Sequence, residues 1–352
     1  MSAPASVLSA REYLAFLIGS PERLQLLAEL QDCSLSPAEL EARTNVSDRT
    51  VQKLLAAGLE RDWITQEGDS EQYTLTIAGA LILQAYVDAE TLDRDSLTFL
   101  TTSESRLRVL EHLENEALSA VELNDRLSVA DPTVYRALHS LEERGLVDWN
   151  QDATLTTTGA DEFEAYQRLV DTIRWIMDHA VVLDHLGEIG RTLPARALAQ
   201  DNGEIVVNSM AHPDAVLDHI EARIEALSPT RIRGVLPSMC AFIDRVRQPL
   251  LEAGTDIEVI VDEAVLEVTR ASYPALLDSV AEIESAELFV YPEKLRFGLA
   301  MLNGSVFVLA YDNQSLRACI ETASETLGGW ATDVFQDHQQ AAYRYNNRSS
   351  TY

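Results

Sequence analysis

Lysine is nearly missing from this sequence. Of its 27 lysine and arginine residues only two are lysines, Lys53 and Lys294, whereas aspartate and glutamate total 57 and the formal net charge is -30. An acidic tail would be the alternative source of such a charge, but the acidic residues are spread along the chain. The balance is typical of proteins from salt-loving archaea, because at about 1 M salt the Debye length is roughly 3 Å and like charges hardly repel one another.

Cysteine and long apolar runs are also scarce. The three cysteines, Cys33, Cys240 and Cys319, are far apart and form no CxxC pair, so we expect small buried residues and neither a disulfide framework nor a metal site. No apolar run has membrane-spanning length, and the first residues lack the basic and apolar regions of a secretory signal. We therefore expect a cytoplasmic protein of two or three domains with no membrane partner.

The first 160 residues contain a repeat. Residues 15–64 align with residues 98–147 at a constant offset of 83, with about 19 identities in 50 positions. After a contraction of three residues the match resumes, with "TLTIAGA" (74–80) against "TLTTTGA" (154–160). Two copies are too few for a solenoid, so we expect two tandem small domains, copy one (residues 1–92) and copy two (residues 93–160).

Both copies have the same order of predicted elements. A first amphipathic helix is followed by a shorter helix that starts after Ser36 or Ser119, and then by a tight turn and a third helix. Ser47 is the predicted N-cap of the third helix in copy one, and Asp131, with Pro132 at the first helical position, in copy two. Two short strands around a polar tip come last. This order resembles the winged helix-turn-helix, so the N-terminal half is expected to be α+β with tandem winged helix-turn-helix domains.

The third helix of each copy has an apolar face and a polar face. The residues expected to hold it on its domain are Val51, Leu54 and Leu55 in copy one and Val134, Leu138 and Leu141 in copy two. The opposite faces carry side chains that can bond base edges or phosphates in a major groove. The predicted DNA-binding residues are Ser47, Arg49, Thr50, Gln52 and Lys53 in copy one and Thr133, Tyr135, Arg136 and His139 in copy two.

The two polar faces differ in charge. Copy one has the more basic face, whereas copy two has a shorter wing with Asp148 and Asp152, which meet a phosphate backbone poorly. Copy two is therefore open to a second interpretation, as a spacer or a dimer contact. Each predicted DNA-binding residue, taken alone, can also be interpreted as an ordinary solvated helix position. Counterion release is weak in molar salt, so affinity for DNA must come from base contacts, close fit and dimerisation.

The C-terminal half has a different pattern. Residues 161–190 predict a long helix, or two, which is either a linker and dimerisation helix or a core helix. Strand and helix segments then alternate, which predicts an α/β domain over 191–352 with a mixed, mainly parallel sheet. The predicted strands are 231–236, 256–261 and 286–292, and the predicted helices are 238–254, 264–283 and 324–345. The sequence "NGS" (303–305) between two apolar segments predicts a hairpin at one edge of this sheet.

Sequence segments in this half match a known family. The run from "LPARAL" through "LRFGLAMLNGSVFVLAYD" to "GWATDVFQDHQQAAYRY" resembles the effector domain of archaeal regulators typified by the methanogenesis filament regulator. Those regulators pair a winged helix-turn-helix with such a domain, whose fold is related to the phospholipase D-like effector domain of the TrmB sugar-responsive regulators. The second winged helix departs from the family pattern, since many relatives carry only a single winged helix.

Motifs of catalysis are missing. Phospholipase D chemistry needs a His-x-Lys pair, and neither lysine has a histidine two residues before it. No GxSxG, P-loop or HExxH sequence occurs, and the histidines are dispersed. His212 and His219 could share a helix face, but we expect both to be solvated. The sequence therefore predicts no enzyme, no cofactor and no metal site.

The resemblance implies that the second half senses a small-molecule effector. In a sheet with parallel strands, a ligand is expected outside the carboxyl ends of the strands. The predicted ligand-binding residues are Ser238 after the first strand, Asp262 and its neighbour Glu263 after the second, Tyr291 after the third, and Arg296 beside the hairpin for an anionic effector. A structural role is the alternative for each of them.

The combined expectation is a sequence-specific, DNA-binding transcriptional regulator. Its expected partners are double-stranded DNA, a small-molecule effector and a second copy of the chain in a homodimer. The alternative is a non-enzymatic scaffold in which the winged helices contact protein instead of DNA.

Overall fold

The chain divides into two compact units, Met1–Asp178 (the first unit) and His179–Tyr352 (the second unit). A computed structural model describes residues 9–345, except for residues 69, 90, 130, 202, 239–249, 251–253, 273–276, 278–284, 313 and 314. Among the described helices, none combines the length and the apolar character that a membrane crossing requires.

The first unit consists mainly of helices. Its described helices are α1 (Ala10–Ile18), α2 (Pro21–Glu29), α3 (Pro37–Thr44), α4 (Asp48–Leu59), α5 (Ile77–Val87), α6 (Arg94–Thr101), α7 (Glu104–Leu113), α8 (Ala120–Leu127), α9 (Asp131–Glu143) and α10 (Thr157–Asp178). Its strands are β1 (Ile64–Gln66), β2 (Tyr73–Leu75), β3 (Leu118–Ser119), β4 (Val147–Trp149) and β5 (Asp152–Leu155).

The repeat in the sequence is also a repeat of local structure. The helices α3 and α8 both begin with a capping box, in which Ser36 and Glu39, or Ser119 and Glu122, exchange side-chain and backbone hydrogen bonds. Hydrogen bonds from the two serine side chains hold the pKa of Glu39 and of Glu122 below the usual value for glutamate. Both helices also end on a left-handed residue, Asn45 or Ser128, which starts the turn toward the third helix.

Each copy also contains the same small antiparallel sheet after its third helix. In copy one, β1 pairs with β2, and Leu35 forms a single bridge to Tyr73. In copy two the bridge is lengthened into a short third strand, so that the strand order is β3-β5-β4. The predicted pair of strands around a polar tip is therefore correct in both copies, and the third strand was missed because it is only one or two residues long.

The helix α10 belongs to the core of the first unit. Its buried residues include Phe163, Tyr166, Leu169 and Ile173, and it contacts α1 and α5. This is the core-helix interpretation that the sequence had left open. The helix ends at Asp178, short of the predicted limit at 190, and the second unit begins with a four-residue helix and a 3-10 helix.

The second unit is built on a mixed sheet. Its described helices are α11 (Ala180–Leu183), a 3-10 helix (Asp184–Thr192), α12 (Ala195–Asp201), α13 (Ala215–Leu227), α14 (Glu263–Ser272) and α15 (Glu325–Ala341). Its strands are β6 (Glu204–Val207), β7 (Arg231–Val235), β8 (Asp256–Asp262), β9 (Ala286–Tyr291), β10 (Phe297–Leu302), β11 (Ser305–Asp312), β12 (Ser315–Thr322) and β13 (Tyr343–Arg344). The strand order is β13-β9-β8-β7-β10-β11-β12-β6.

The prediction of a mainly parallel sheet was wrong. Only the pairs β7–β8 and β8–β9 are parallel, whereas β7–β10 and the remaining described pairs are antiparallel. The predicted hairpin exists, with positive φ at Asn303 and Gly304, but it lies inside the sheet because β12 and β6 extend the sheet beyond it. No strand was predicted at 204–207 or 315–322, and the hairpin was therefore expected at an edge of the sheet.

Helices cover this sheet over its central strands. The strand β11 is buried at every residue from Ser305 to Ala310, as expected for a strand that is covered on both faces. Alternate residues Phe307 and Leu309 pack in one cluster with Val216 and Ile220 of α13. The helix α15 contacts β7, β9, β10 and β11 and buries its own apolar face there.

Some predictions fall on residues outside the described part of the chain. These are the predicted helix 238–254, apart from its ends and residue 250, much of the later part of the predicted helix 264–283, and Cys240. Of the other cysteines, Cys319 is fully buried, and burial raises the pKa of its thiol, as expected for a small core residue. Cys33 is only half-buried.

Candidate nucleic-acid interface and effector site

The third helix of copy one, α4, is anchored as predicted. Val51, Leu54 and Leu55 are buried, and so is Gly58 one turn later. Ser47 occupies the N-cap position, but its side chain caps no backbone amide and instead contacts the Thr50 hydroxyl at 3.0 Å. This part of the predicted role of Ser47 was wrong, because the side chain turns to a neighbouring hydroxyl.

The outer face of α4 carries unpaired positive charge. Arg49, Gln52 and Lys53 are exposed, and Thr50 is half-buried. Within the described residues, neither Arg49 nor Lys53 forms an ion pair or a hydrogen bond, whereas Gln52 donates weakly to Asp48 at 3.4 Å. Two free cations one turn apart in a chain of net charge -30 form a local exception to its acidic surface.

The third helix of copy two, α9, has the predicted buried face, formed by Val134, Leu138 and Leu141. Asp131 was predicted as the N-cap of this helix, but it is the first helical residue, one position further along. The register is the same in α4, which begins at the equivalent Asp48.

The outer face of α9 is partly covered by an aromatic side chain that the sequence analysis had not considered. Trp149, the last residue of β4, packs edge-on against Tyr135, with ring centroids 5.5 Å apart, and against His139 at 4.8 Å. Arg136 donates from Nε to the Pro132 carbonyl oxygen at 3.0 Å, so part of its hydrogen-bonding capacity is used within the helix. Thr133 is half-buried.

A signal for this difference was present in the repeat. At the offset of 83 residues, Trp149 stands where copy one has Gln66, and Tyr135 stands where it has Gln52. Two aromatic residues had therefore replaced two amides, on the third helix and on the adjacent strand. Aromatic pairs of this kind favour mutual packing over solvent exposure.

The wings of both copies are acidic. Asp148 and Asp152 are exposed in copy two, as the sequence analysis assumed. The wing of copy one carries Glu67 and Glu71, and Glu67 accepts a hydrogen bond from Ser34. The wing charge therefore does not separate the two copies, and the difference between them lies in the third helix.

In the second unit, the structure brings two of the predicted ligand-binding residues together. Asp262 and Tyr291 are cross-strand partners at the carboxyl ends of β8 and β9. Asp262 is buried, and its two carboxylate oxygens accept from the backbone amides of Val265, at 2.8 Å, and Leu295, at 3.0 Å. This pattern is that of a structural cap, the alternative stated for each residue of the set.

The other predicted ligand-binding residues are placed around the same end of the sheet. The ring of Tyr291 packs against His338 with centroids 4.9 Å apart, Ser238 is half-buried, and Arg296 is exposed. The neighbour Glu263 is also exposed. The assignment of Ser238, Asp262, Tyr291 and Arg296 to an effector site stays a prediction.

A cavity lies at the opposite end of the parallel strands. Its volume is about 290 Å³, near the lower limit for small-ligand sites. Its lining includes Arg231, Arg233, Met301, Asn303, Ser305 and Thr332. This cavity was not predicted, because a ligand was expected only at the carboxyl ends of the strands.

The electrostatics of this cavity are dominated by two arginines and one glutamate. Glu258 is hydrogen-bonded to Arg231, and one of its oxygens lies 3.5 Å from Nε of Arg233. Burial alone would raise the pKa of Glu258, but the two guanidinium groups outweigh it and hold the pKa below the usual value. The three groups leave one net positive charge beside the cavity, which suits a small anionic ligand.

A second cluster of charged residues lies between β6, β12 and α13. Glu321 is buried and accepts from His219 Nε2 and from Arg223 Nε, each at 2.7 Å, while Glu204 is its cross-strand partner on β6. His219 is thus a partner in an internal ion-pair network, so the expectation that it is solvated was wrong. Glu204, His219 and Glu321 carry donor atoms that a metal ion accepts, but His219 and Arg223 already engage both oxygens of Glu321.

Comparison with known families places both halves of the chain. The family model described as "Methanogenesis regulatory protein FilR1, middle domain" matches residues 213–341. The model described as "HVO_A0261 N-terminal domain" matches twice, over residues 11–96 and 94–178. The predicted resemblance is thereby confirmed, and the two matches coincide with the internal repeat. No curated protein matches the chain in sequence.

Two solved structures show weak overall similarity. The structure of TrmBL2, an archaeal chromatin protein with a novel mode of DNA binding, is 13% identical, with 69% of this chain and 94% of that chain covered and a TM-score of 0.32. The phospholipase D family member Nuc from Salmonella typhimurium is 12% identical, with 41% of this chain and 99% of that chain covered and a TM-score of 0.33. At these TM-scores neither similarity supports a conclusion about this chain.

Proposed function

We propose that the chain is a FilR1-like transcriptional regulator that binds double-stranded DNA sequence-specifically through tandem winged helix-turn-helix domains. The observation that carries the proposal is the outer face of α4. Arg49, Gln52 and Lys53 are exposed there, and the two cations have no partner within the described part of the chain. Arginine and lysine bind guanine edges or phosphates and glutamine binds adenine, so this face has the side chains that major-groove recognition uses.

The composition sets the conditions of binding. A net charge of -30 repels DNA at low salt, whereas molar salt screens the repulsion to roughly 3 Å. The same salt weakens the counterion release that drives phosphate binding, so base contacts and close fit carry the affinity. We propose a haloarchaeal regulator whose specific binding persists in molar KCl.

The proposal is tested by mobility shift of the full chain against genomic fragments in molar KCl. Arg49→Ala and Lys53→Ala should each weaken specific binding about fivefold or more, since a base contact contributes about 1–3 kcal/mol. Arg196→Ala, which removes an exposed arginine from α12 in the second unit, is the matched control and should leave binding unchanged. Specific binding that is lost in molar KCl, or that is insensitive to both α4 variants, would overturn the proposal.

The scaffold alternative is favoured by one observation, the packing of Trp149 on Tyr135 and His139. Aromatic side chains are enriched in the centres of protein interfaces, so the outer face of α9 has a composition that also suits a protein contact. Trp149→Gln distinguishes the two functions of copy two. A protein-contact role predicts loss of self-association or partner binding with DNA affinity unchanged.

We also propose that the second unit binds a small anionic effector in the cavity beside Arg231 and Arg233. The net positive charge and the hydroxyl groups of Ser305 and Thr332 support this class of ligand. The test is a thermal-shift screen of small carboxylates and phosphates on the full chain. A hit that Arg233→Ala abolishes supports the cavity, and a hit that only Arg296→Ala abolishes supports the site predicted at the carboxyl ends.

Homodimer formation is a separate part of the proposal. Light scattering of the full chain in molar KCl measures it directly. A mass of two chains supports it, and a mass of one chain at all concentrations tested overturns it.

A further inference from the structure

The two copies contact each other through a reciprocal pair of hydrogen bonds. Arg11 on α1 donates from Nε to the carbonyl oxygen of Thr101, the last residue of α6, at 2.8 Å. Arg94 on α6 donates from Nε and Nη2 to the carbonyl oxygen of Ile18, the last residue of α1, at 3.0 and 2.9 Å. A guanidinium at the carboxyl end of a helix satisfies a carbonyl left without an intrahelical partner.

These four residues are two equivalent pairs in the repeat. At the offset of 83 residues, Arg11 corresponds to Arg94 and Ile18 corresponds to Thr101. The contact from copy one to copy two is therefore repeated from copy two to copy one. Such reciprocity is the signature of a two-fold axis, because copies related by a simple shift along the chain would make the contact in one direction only.

Packing of the neighbouring helices agrees with this symmetry. The helix α1 contacts its own equivalent α6, and α5 contacts its own equivalent α10. The contact of α1 with α10 departs from the symmetry, because the equivalent helices α6 and α5 do not pack in the same way, and α10 has 22 residues where α5 has 11. The first unit is thus a pseudo-symmetric dimer within a single chain.

We propose that this internal dimer recognises two inverted half-sites of unequal sequence, one for each copy. The inference rests on the proposed DNA-binding function. Heads related by a two-fold axis bind half-sites that are themselves related by a two-fold axis, so one chain reads an inverted repeat and not a direct one. The half-sites differ because Gln52 and Lys53 of copy one correspond to Tyr135 and Arg136 of copy two.

The arrangement is tested by selection of bound sequences from random duplex DNA with the unmodified full chain in molar KCl. The expected motif has two inverted blocks, centred about 10–10.5 base pairs or a multiple apart, with the block of copy one the better defined. Two blocks in direct orientation, a single block, or two inverted blocks of identical sequence, which a homodimer reading through copy one alone would give, would overturn the inference while leaving the proposed function intact. Failure to enrich any motif would instead count against the proposed function.

A second experiment links the arrangement to the reciprocal contact. The test duplex has about five extra base pairs, half a helical turn, between the two blocks. For each protein, its affinity is compared with the affinity for the duplex of selected spacing. The double variant Arg11→Ala, Arg94→Ala should lose less affinity on the longer duplex than the unmodified chain does. Its preference within each block should not change. The matched control removes two ion-paired arginines of α10, the half-buried Arg168 and the exposed Arg174, by Arg168→Ala and Arg174→Ala, and should retain the original spacing requirement. If both double variants behave alike in circular dichroism and in spacing preference, the reciprocal contact does not fix the heads.

Discussion

Gly79 and Gly159 occupy the same place in the two copies, and each lies directly against a backbone carbonyl. A side chain on Gly79 would overlap the carbonyl of Trp63, and a side chain on Gly159 would overlap that of Leu146. In both copies the helix that follows the hairpin is also fixed by a threonine cap, since Thr76 donates to the Asp62 carbonyl and Thr156 to the Gly145 carbonyl. The glycine, and no other residue, allows the helix to approach the hairpin this closely.

We therefore expect Gly79→Ala and Gly159→Ala each to destabilise the full chain by about 1–3 kcal/mol, the usual cost of overpacking. The reference is Gly329→Ala on α15, where an added Cβ meets nothing within 4 Å. That change should stabilise the protein by up to about 1 kcal/mol, because alanine is the better helix former. Thermal unfolding in molar KCl measures all three. If the three substitutions change the stability equally, helix propensity, and not the contact with the carbonyl, determines the effect.

The repeat and its local structure could be predicted from the sequence because they depend on neighbouring residues. Capping boxes at Ser36 and Ser119, the apolar faces of α4 and α9, and the hairpin at Asn303 all follow from short patterns. The contacts that fold one copy on the other could not be predicted in this way. Nothing near Arg11 in the sequence indicates that its partner is Thr101.

The sheet shows the same limit in a different form. The strand β12 begins at Ser315, ends at Thr322 and contains Arg317 and Glu321, so its composition is not that of a buried strand. The strand is nevertheless buried from Ala318 to Thr322, and there Glu321 pairs with His219 and Arg223 on α13, which is distant in sequence. A charge that is neutralised by tertiary contacts looks like a solvent-exposed charge in the sequence, and the strand was missed for that reason.

The Glu321 network should contribute measurably to stability. Arg223→Ala leaves the buried carboxylate with His219 alone and opposite Glu204, and we expect a loss of about 2–3 kcal/mol. Arg231→Ala is the matched control, because this exposed arginine pairs with Glu258, which keeps Arg233. The control should cost about 1 kcal/mol or less. Chemical denaturation of the full chain compares the two, and a smaller loss for Arg223→Ala than for Arg231→Ala would contradict the prediction.

The two capping boxes predict a dependence of stability on acid. The pKa of Glu39 and of Glu122 is lowered in the folded chain by the hydrogen bonds from Ser36 and Ser119. A lowered pKa means that the stabilisation is fully present above the ordinary glutamate value, near 4.5, and is lost as the pH falls through the folded value. Glu39→Gln or Glu122→Gln keeps a hydrogen-bond acceptor but removes the titrating group.

Each glutamine variant should therefore lose less stability than the unmodified chain between pH 6 and about pH 3.5. Unfolding midpoints at the two pH values, measured at one salt concentration, give the comparison. Glu143→Gln on the exposed surface of α9 serves as the control for removing one carboxylate. If Glu143→Gln changes the pH dependence as much as the two cap variants do, the effect belongs to the general charge of the chain.

Lys53 and Arg136 occupy equivalent positions on α4 and α9, and they provide the sharpest comparison of the two copies. Lys53 has no partner in the described residues, whereas Arg136 donates to Pro132 and lies on a helix face where Trp149 packs against Tyr135 and His139. We therefore expect Lys53→Ala to weaken specific DNA binding about fivefold or more, and Arg136→Ala to weaken it by less than about threefold. Both variants remove one positive charge from the same place in the repeat, so a general loss of electrostatic attraction would affect them equally. Binding isotherms on the selected duplex in molar KCl decide the matter, and a larger effect of Arg136→Ala would assign the dominant reading head to copy two.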